Sequence, residues 1–311
     1  MVPIKKDNIV FIPVDFNMFI ENARNKMNEV RYNQECIISE SFIDEIIRCI
    51  VDSKNTHIII DLKNVAYGPA HIFWKFEEYL DRIIFCNVAP MMSSRIRNEL
   101  SELIDVNNDS ALLCIDYLSQ IAIKAMPNIE YIRTEHLYQI IKSLIVPKEV
   151  YLESSGLYSN CYFDIKRLFL NVDELYYSIF TLAETMSVNI REIDALVSSS
   201  KNGAILACIL AGLFNIKEVH IIGVGPKYAM NIGDSIECIK AGKKYAFIYD
   251  FMCTGTEFKI ISSLINSKQG ILKYAAGIAK FRPETGYNIL GVVDALASTN
   301  DLNIQYKIYG K

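Results

Sequence analysis

Lys243–Ser262 reads KKYAFIYDFMCTGTEFKIIS, and the rest of the chain is best read outward from it. Tyr245 to Tyr249 is a short β-prone apolar run. Asp250 and a small polar loop, Cys253-Thr254-Gly255-Thr256, are expected to end it. Phe258, Ile260, Ile261, Leu264 and Ile265 then recur at helical spacing. A strand, a Thr-Gly turn and a helix make a place for an anion, because the first N–H groups of a helix lack intrahelical acceptors and its dipole favours negative charge there. An acid just before the loop can hold hydroxyls while the loop holds a phosphate. The same text also suits an ordinary β–α turn, with Asp250 as a carboxylate capping the Thr254 loop.

This pattern resembles the ribose-phosphate signature of the type I phosphoribosyltransferases: an apolar strand, two acids, three loose positions, then Thr-Gly and two small residues. Asp250 falls on the second acid and Thr254-Gly255 on the Thr-Gly. Tyr249 stands where the first acid is usual, and Glu257 where a phosphate-binding Ser or Thr is usual. Upstream, Ser155-Gly156, Ser159, Tyr162-Phe163, Asp164 and Lys166-Arg167 follow the order of the orotate branch, with Ser154 in place of its Lys. Without the family, that text reads as a β-hairpin-like arm with a basic end, followed by a helix from Val172 to Glu184.

A second anion-ready loop lies in Ile193–Phe214, IDALVSSSKNGAILACILAGLF, a strand, a Ser-Ser-Ser-Lys-Asn-Gly loop and an apolar helix. Small residues let backbone approach an anion, and Lys201 adds a point charge. Alone, the loop suits a solvated βα connection equally well; in the resemblance it is the pyrophosphate loop. Between the two loops, Val219–Ile222 is a strand, and the text after it occupies the place of the family's lid, which closes over substrate. Only Lys227 remains there of the family's dense basic run. The resemblance therefore implies catalytic roles for Asp250, Lys201 and Lys227. It implies ligand contacts for Ser199, Ser200, Asn202, Gly203, Phe251, Met252, Cys253, Thr254, Gly255 and Thr256. It also implies Mg²⁺, without naming its ligands. Glu257 must point away from a bound phosphate, or the site takes something less anionic.

The first third reads strand (Asn8–Val14), helix (Ser39–Ile50), strand (Asn55–Leu62), helix (Ala70–Leu80), strand (Ile83–Val88) and helix (Pro90–Leu103). Over about Asn8 to Ile104 it resembles the STAS domain, a small α/β regulatory fold. The likeness rests on IIIDLKNV at 58–65, YGPAHIFWKF at 67–76 and IIFCNVAPMMSSRIRNEL at 83–100. Ala70 occupies about the position of that family's phosphorylated serine. A generic βαβ half-domain used for packing or dimerisation fits the same text. LLCIDYLSQIAIKAM (112–126) and TEHLYQIIKSLI (134–145) both carry helical patterns and read as a connector. Near the end, Ile289–Leu296 suits a helix or a strand, Ile304–Ile308 a strand, and Arg282 either solvation or the border of a base.

Half of the 311 residues are hydrophobic and 22% charged, so the chain is globular rather than disordered. A net charge of −4 argues against broad nucleic-acid binding. Eight scattered cysteines without a C-x-x-C pair read as reduced, and four distant histidines offer no zinc motif. Gly203–Phe214, the longest apolar stretch, is too short to span a bilayer, and Met1–Asp7 leads into a strand rather than a signal core. A cytoplasmic protein is expected, with no membrane contact.

The expected architecture is α/β: a STAS-like domain at 1–110, a helical connector at 111–147, and a parallel-sheet phosphoribosyltransferase-like domain at 148–311. Two functions fit. One is transfer of phosphoribose from phosphoribosyl diphosphate to an unidentified base, with release of pyrophosphate. The other is a catalytically weakened module that senses a nucleotide or sugar phosphate and regulates a protein partner through the N-terminal domain. A homodimer is expected by analogy.

Overall fold

The computed structural model of the chain describes residues 1–6, 8–25, 36–53, 56–68, 71–100, 112–115, 118, 121, 129–152, 157–187, 190–224, 236–252, 255–280, 292–298 and 306–308. Two compact units emerge: residues 1–29 with 33–136, and residues 30–32 with 137–311. Both are mixed α/β with parallel sheets.

The first unit contains β1 (Ile4–Lys6), β2 (Ile9–Pro13), α1 (Val14–Asn25), β3 (Cys36–Ile37), α2 (Glu40–Asp52), β4 (His57–Asp61), β5 (Val65–Tyr67), a 3-10 helix (Phe73–Tyr79), β6 (Ile83–Cys86) and α3 (Pro90–Leu100). Its main sheet has the order β1-β2-β4-β6, with β1 antiparallel to β2 and the others parallel. IVFIP, HIIID and IIFC are nearly unbroken apolar runs, as strands covered on both faces require. Helix α2 buries Phe42, Ile43, Ile46 and Ile50 against them, and the Ser39 hydroxyl caps it by accepting from the Phe42 N–H at 3.2 Å.

Two expectations fail here. The helix expected over Ala70–Leu80 is a 3-10 helix from Phe73 to Tyr79, and Ala70 lies outside the described residues. Buried Phe73 and Phe76 are three apart, which suits three residues per turn, and the Glu99 carboxylate accepts from the His71 and Phe73 N–H groups at 2.9 and 2.7 Å. The pattern at 112–126 does not begin as a helix either. Leu113 forms an antiparallel bridge to Phe85, exchanging two hydrogen bonds of 2.9 Å. Pairing with the open edge of β6 and complete burial outweigh its helical spacing.

α4 (Ile129–Ser143) begins in this unit and carries Arg133. The guanidinium reaches the carboxyl ends of β2 and β4: Nη2 lies 2.9 Å from Asp15 Oδ1 and 2.5 Å from Asp61 Oδ2, and Nε donates to Asp61 Oδ2 at 2.8 Å. Asn64 donates to Asp15 and Asn87 to Asp61, at 3.0 and 2.9 Å. Burial pushes the Asp15 carboxyl up, while Arg133 pulls it down. Burial alone would lower Arg133, but Asp15 and Asp61 more than reverse this and raise it.

The second unit holds β7 (Ile145–Leu152), β8 (Leu157–Phe163), α5 (Lys166–Leu170), α6 (Val172–Met186), β9 (Ala195–Ser198), α7 (Lys201–Phe214), β10 (Glu218–Ile221), β11 (Lys244–Met252), α8 (Thr256–Ser267), β12 (Ile271–Lys280), β13 (Val292–Ser298) and β14 (Tyr306–Ile308). The expected hairpin arm is present as antiparallel β7 and β8, with β14 added to β8. The five-stranded sheet runs β10-β9-β11-β12-β13, and every pairing in it is parallel. From β9 the chain crosses through α7 to β10 on one side. It then returns to β11 on the other side of β9 and continues outward through α8 to β12. The strand order thus reverses between β9 and β11, the place where open α/β sheets bind ligands beyond the carboxyl ends of their strands.

Candidate functional site between two parallel strands

At that reversal Ser198 ends β9, and Ser200 caps α7 with extended backbone (φ −121°, ψ 159°). The Ser200 hydroxyl accepts from the Gly203 N–H at 3.0 Å, which starts the helix immediately beyond the strand. Gly203 is required for close approach: a Cβ there would collide with Ser198 Oγ and lie 3.0 Å from the Ile248 carbonyl of β11. Lys201 is the exposed first residue of α7.

Strand β11 does not stop at Tyr249 as expected but runs on to Met252. Phe251 and Met252 stay in register with Ala279 and Lys280 of β12. Asp250 therefore stands on a strand rather than in a loop. It accepts from Ser200 Oγ at 3.3 Å and from Asn202 Nδ2 at 3.2 Å, so both of its oxygens meet the start of α7. Ser200, Asn202, Gly203 and Asp250 come together although Ser200 and Asp250 are 50 residues apart.

Tyr249 turns the other way. It is 3% exposed and packs with Phe247 and Phe258 in the core beneath α8. Its ring and carbonyl fill the space where a Cβ of Gly277 would sit. A residue at this position contributes packing, not a second acid. Met252 belongs to the same core, and the Phe251 ring stacks on Phe163 of the arm at 4.9 Å with 22° between planes. Gly255 precedes α8 in the left-handed region (φ 73°), which glycine adopts without a Cβ clash, and Thr256 is the first helical residue. Lys227, Cys253, Thr254 and Arg282 lie outside the described residues.

Glu257 turns towards the loop after β9. Half-buried in the first turn of α8, its Oε2 accepts from Ser199 Oγ at 2.6 Å. Burial pushes its carboxyl up, the Ser199 hydrogen bond opposes this, and the charge on Asp250 adds to it. Nothing in the sequence signals this contact, since its partners are 58 residues apart and the burial of Glu257 depends on how α8 meets the loop after β9. Phe163 beside Phe251 was likewise readable only as part of an arm.

The expected Mg²⁺ has no protein cage here: among the described residues no group of three or more His, Cys, Asp or Glu side chains could hold a metal ion. Asp250 and Glu257 already accept from protein donors. A magnesium ion carried by ligand phosphates would need no such group, because the phosphates commonly supply much of its coordination. Among the described residues Cys49, Cys86, Cys114, Cys161, Cys208 and Cys238 form no disulfide, and no helix is long and apolar enough to cross a membrane.

No protein-family model matches the chain, and no curated protein does. Solved structures with a similar arrangement include orotate phosphoribosyltransferase from Aeropyrum pernix, 16% identical with a TM-score of 0.42, covering 53% of this chain and 96% of that one. Adenine phosphoribosyltransferase from Thermoanaerobacter pseudethanolicus is 17% identical with a TM-score of 0.41, over 52% of this chain and 99% of its own. The Trypanosoma brucei adenine enzyme, solved with AMP, pyrophosphate and ribose-5-phosphate, is 13% identical with a TM-score of 0.40, over 53% and 81%. Each likeness is confined to about half of this chain, and the strand-end geometry stands apart from it.

Proposed function

We propose that the crevice between β9 and β11 binds phosphoribosyl diphosphate or a related nucleotide, and that the chain transfers the phosphoribosyl group to a base with release of pyrophosphate. One observation carries this reading: Asp250, Ser200, Asn202 and Gly203 converge at the reversal point of a parallel sheet, between two helices that start there. In the transfer, the bond from ribose C1 to the diphosphate oxygen breaks, its electron pair leaving with pyrophosphate. A base nitrogen then closes on C1 and its proton passes to solvent. The N–H groups at the start of α7 and the charge of Lys201 hold the diphosphate, and Asp250 accepts hydrogen bonds from the ribose hydroxyls. Magnesium, bound to the diphosphate, would neutralise part of the departing charge.

A second reading has its own support. Asp250 and Glu257 are both engaged by protein donors, which favours a module that binds such a ligand without turning it over. In either case the first unit, with an antiparallel edge strand beside parallel ones, is proposed as a STAS-like domain for regulation or assembly, and a homodimer as the working form. Calorimetry of the full chain with phosphoribosyl diphosphate and Mg²⁺ separates the readings, and absence of binding at millimolar ligand would eliminate the enzyme. Binding with pyrophosphate release on some member of a panel of bases identifies the enzyme; binding without release identifies the sensor.

A further inference from the structure

Trp74, the only tryptophan of the chain, does not lie in the core: it is 55% exposed, on the 3-10 helix of the first unit. The helix beneath it is fixed. Phe73 and Phe76 are buried and meet Phe85 edge-on, at centroid distances of 6.3 and 5.5 Å. Side chains three apart eclipse in a 3-10 helix, so Trp74 and Glu77 form one outward row and Lys75 and Glu78 the row beside it. Glu77 and Glu78 are exposed, and among the described residues neither they nor Trp74 make a hydrogen bond or ion pair. Lys75 reaches across to α2, where its Nζ lies 2.8 Å from both Glu40 Oε1 and Asp44 Oδ1. Four carboxylates thus share this face with the indole, and the one ammonium among them is already held by two of the four.

We propose that this face docks a basic segment of a protein partner, with an arginine or lysine laid over the Trp74 ring and further cations paired with Glu77, Glu78 and Glu40. A cation there is attracted by the ring quadrupole and by the carboxylates together. Tryptophan held on a fixed element is also the residue type on which binding energy concentrates at interfaces. Charge decides against other occupants. Phosphates of a nucleic acid or of an anionic membrane would meet the four carboxylates, and a second copy seated on this face across a two-fold axis would set the same acids against themselves. The docking face gives the regulatory role proposed for the first unit a partner chemistry, and it does not depend on what the second unit binds.

The test is titration of the full chain with heptaarginine, followed by tryptophan emission and by calorimetry. Because Trp74 is the only tryptophan, its emission reports this face alone. A saturable change is expected, weakening as salt rises and missing with heptaglutamate. Trp74→Ala should weaken calorimetric binding at least about tenfold. The double variant Glu77→Gln, Glu78→Gln should weaken it at least about threefold. The double variant Glu149→Gln, Glu237→Gln removes the same charge from the second unit and should change it less than about twofold. Every substituted side chain is exposed, and the two sets of changes on the face check each other against a folding defect. Unchanged emission, or undiminished binding to Trp74→Ala, would overturn the proposal. So would equal losses in the two double variants, since net charge alone would then explain the binding. Self-association of the wild type that Trp74→Ala abolishes would also overturn it and make the occupant a second copy.

Discussion

Replacing Arg133 by Met should damage the first unit far more than an ordinary surface change. Arg133 is 8% exposed, and it is the cation set between Asp15 and Asp61, which are 2% and 0% exposed. Methionine fills much of the same space but leaves two buried carboxylates facing each other. Removing one partner from a buried ion pair costs about 3–5 kcal/mol, or about 10–20 °C in melting temperature for a domain of this size. Asp15 is already raised by burial, and loss of Arg133 removes the influences that lower it. An acid whose folded pKa lies above its unfolded value of 3.8 contributes stability that is present below that value and is lost as pH rises through the folded pKa. The deficit of Arg133→Met should therefore be largest near neutral pH and shrink as pH falls through the raised folded pKa of Asp15 towards 3.8. Adding Asp15→Asn and Asp61→Asn removes every charge and should recover most of the loss. Differential scanning calorimetry of the full chain at several pH values measures all of this. A shift below about 2 °C at pH 7, or one that does not change with pH, would show that the cluster is not electrostatically closed.

The remaining expectations concern the second unit. Asp250→Asn should weaken phosphoribosyl diphosphate binding about 10- to 150-fold, the worth of hydrogen bonds to a charged acceptor. It should lower the melting temperature only slightly, because one amide oxygen still accepts from Ser200 or Asn202. A large thermal loss with intact affinity would make Asp250 a structural cap. Gly277→Ala drives a methyl group into the Tyr249 ring and carbonyl and should cost about 1–3 kcal/mol or more in urea unfolding; a neutral result would contradict the close approach of β11 and β12. Burial raises the Glu257 carboxyl above its usual 4.5, so its contribution to stability is present below that pH and declines as pH rises through the folded pKa. Glu257→Gln should lack this decline, and identical pH–stability curves for variant and wild type would place Glu257 in solvent.

Much of the architecture was legible as local pattern. Apolar runs marked β2, β4, β6, β9 and β11, and helical spacing behind Ser39 marked α2 together with its cap. That Tyr249 packs in the core while Asp250 meets the start of α7 was not read from the sequence; it follows from successive strand residues facing opposite sides once β11 is seen to run past Asp250. The end of β11 was not legible. Asp250 reads as a strand stop, but pairing of Phe251 and Met252 with β12 extends the strand past it. At 112–115, spacing pointed to a helix and a free sheet edge decided otherwise.

The sequence by itself determined that two Ser/Thr/Gly-bearing loops each join an apolar strand to a helix, because strand propensity, loop chemistry and helical periodicity are properties of adjacent residues. Only the tertiary structure decided that β9 and β11 are neighbours with the chain diverging on either side, which brings Ser200 to Asp250 and Ser199 to Glu257 across 50 and 58 residues. The same holds for Arg133, which meets Asp15 across 118 residues. Burial and charge pairing at such separations depend on which strands lie side by side, and no short stretch of the chain carries that information.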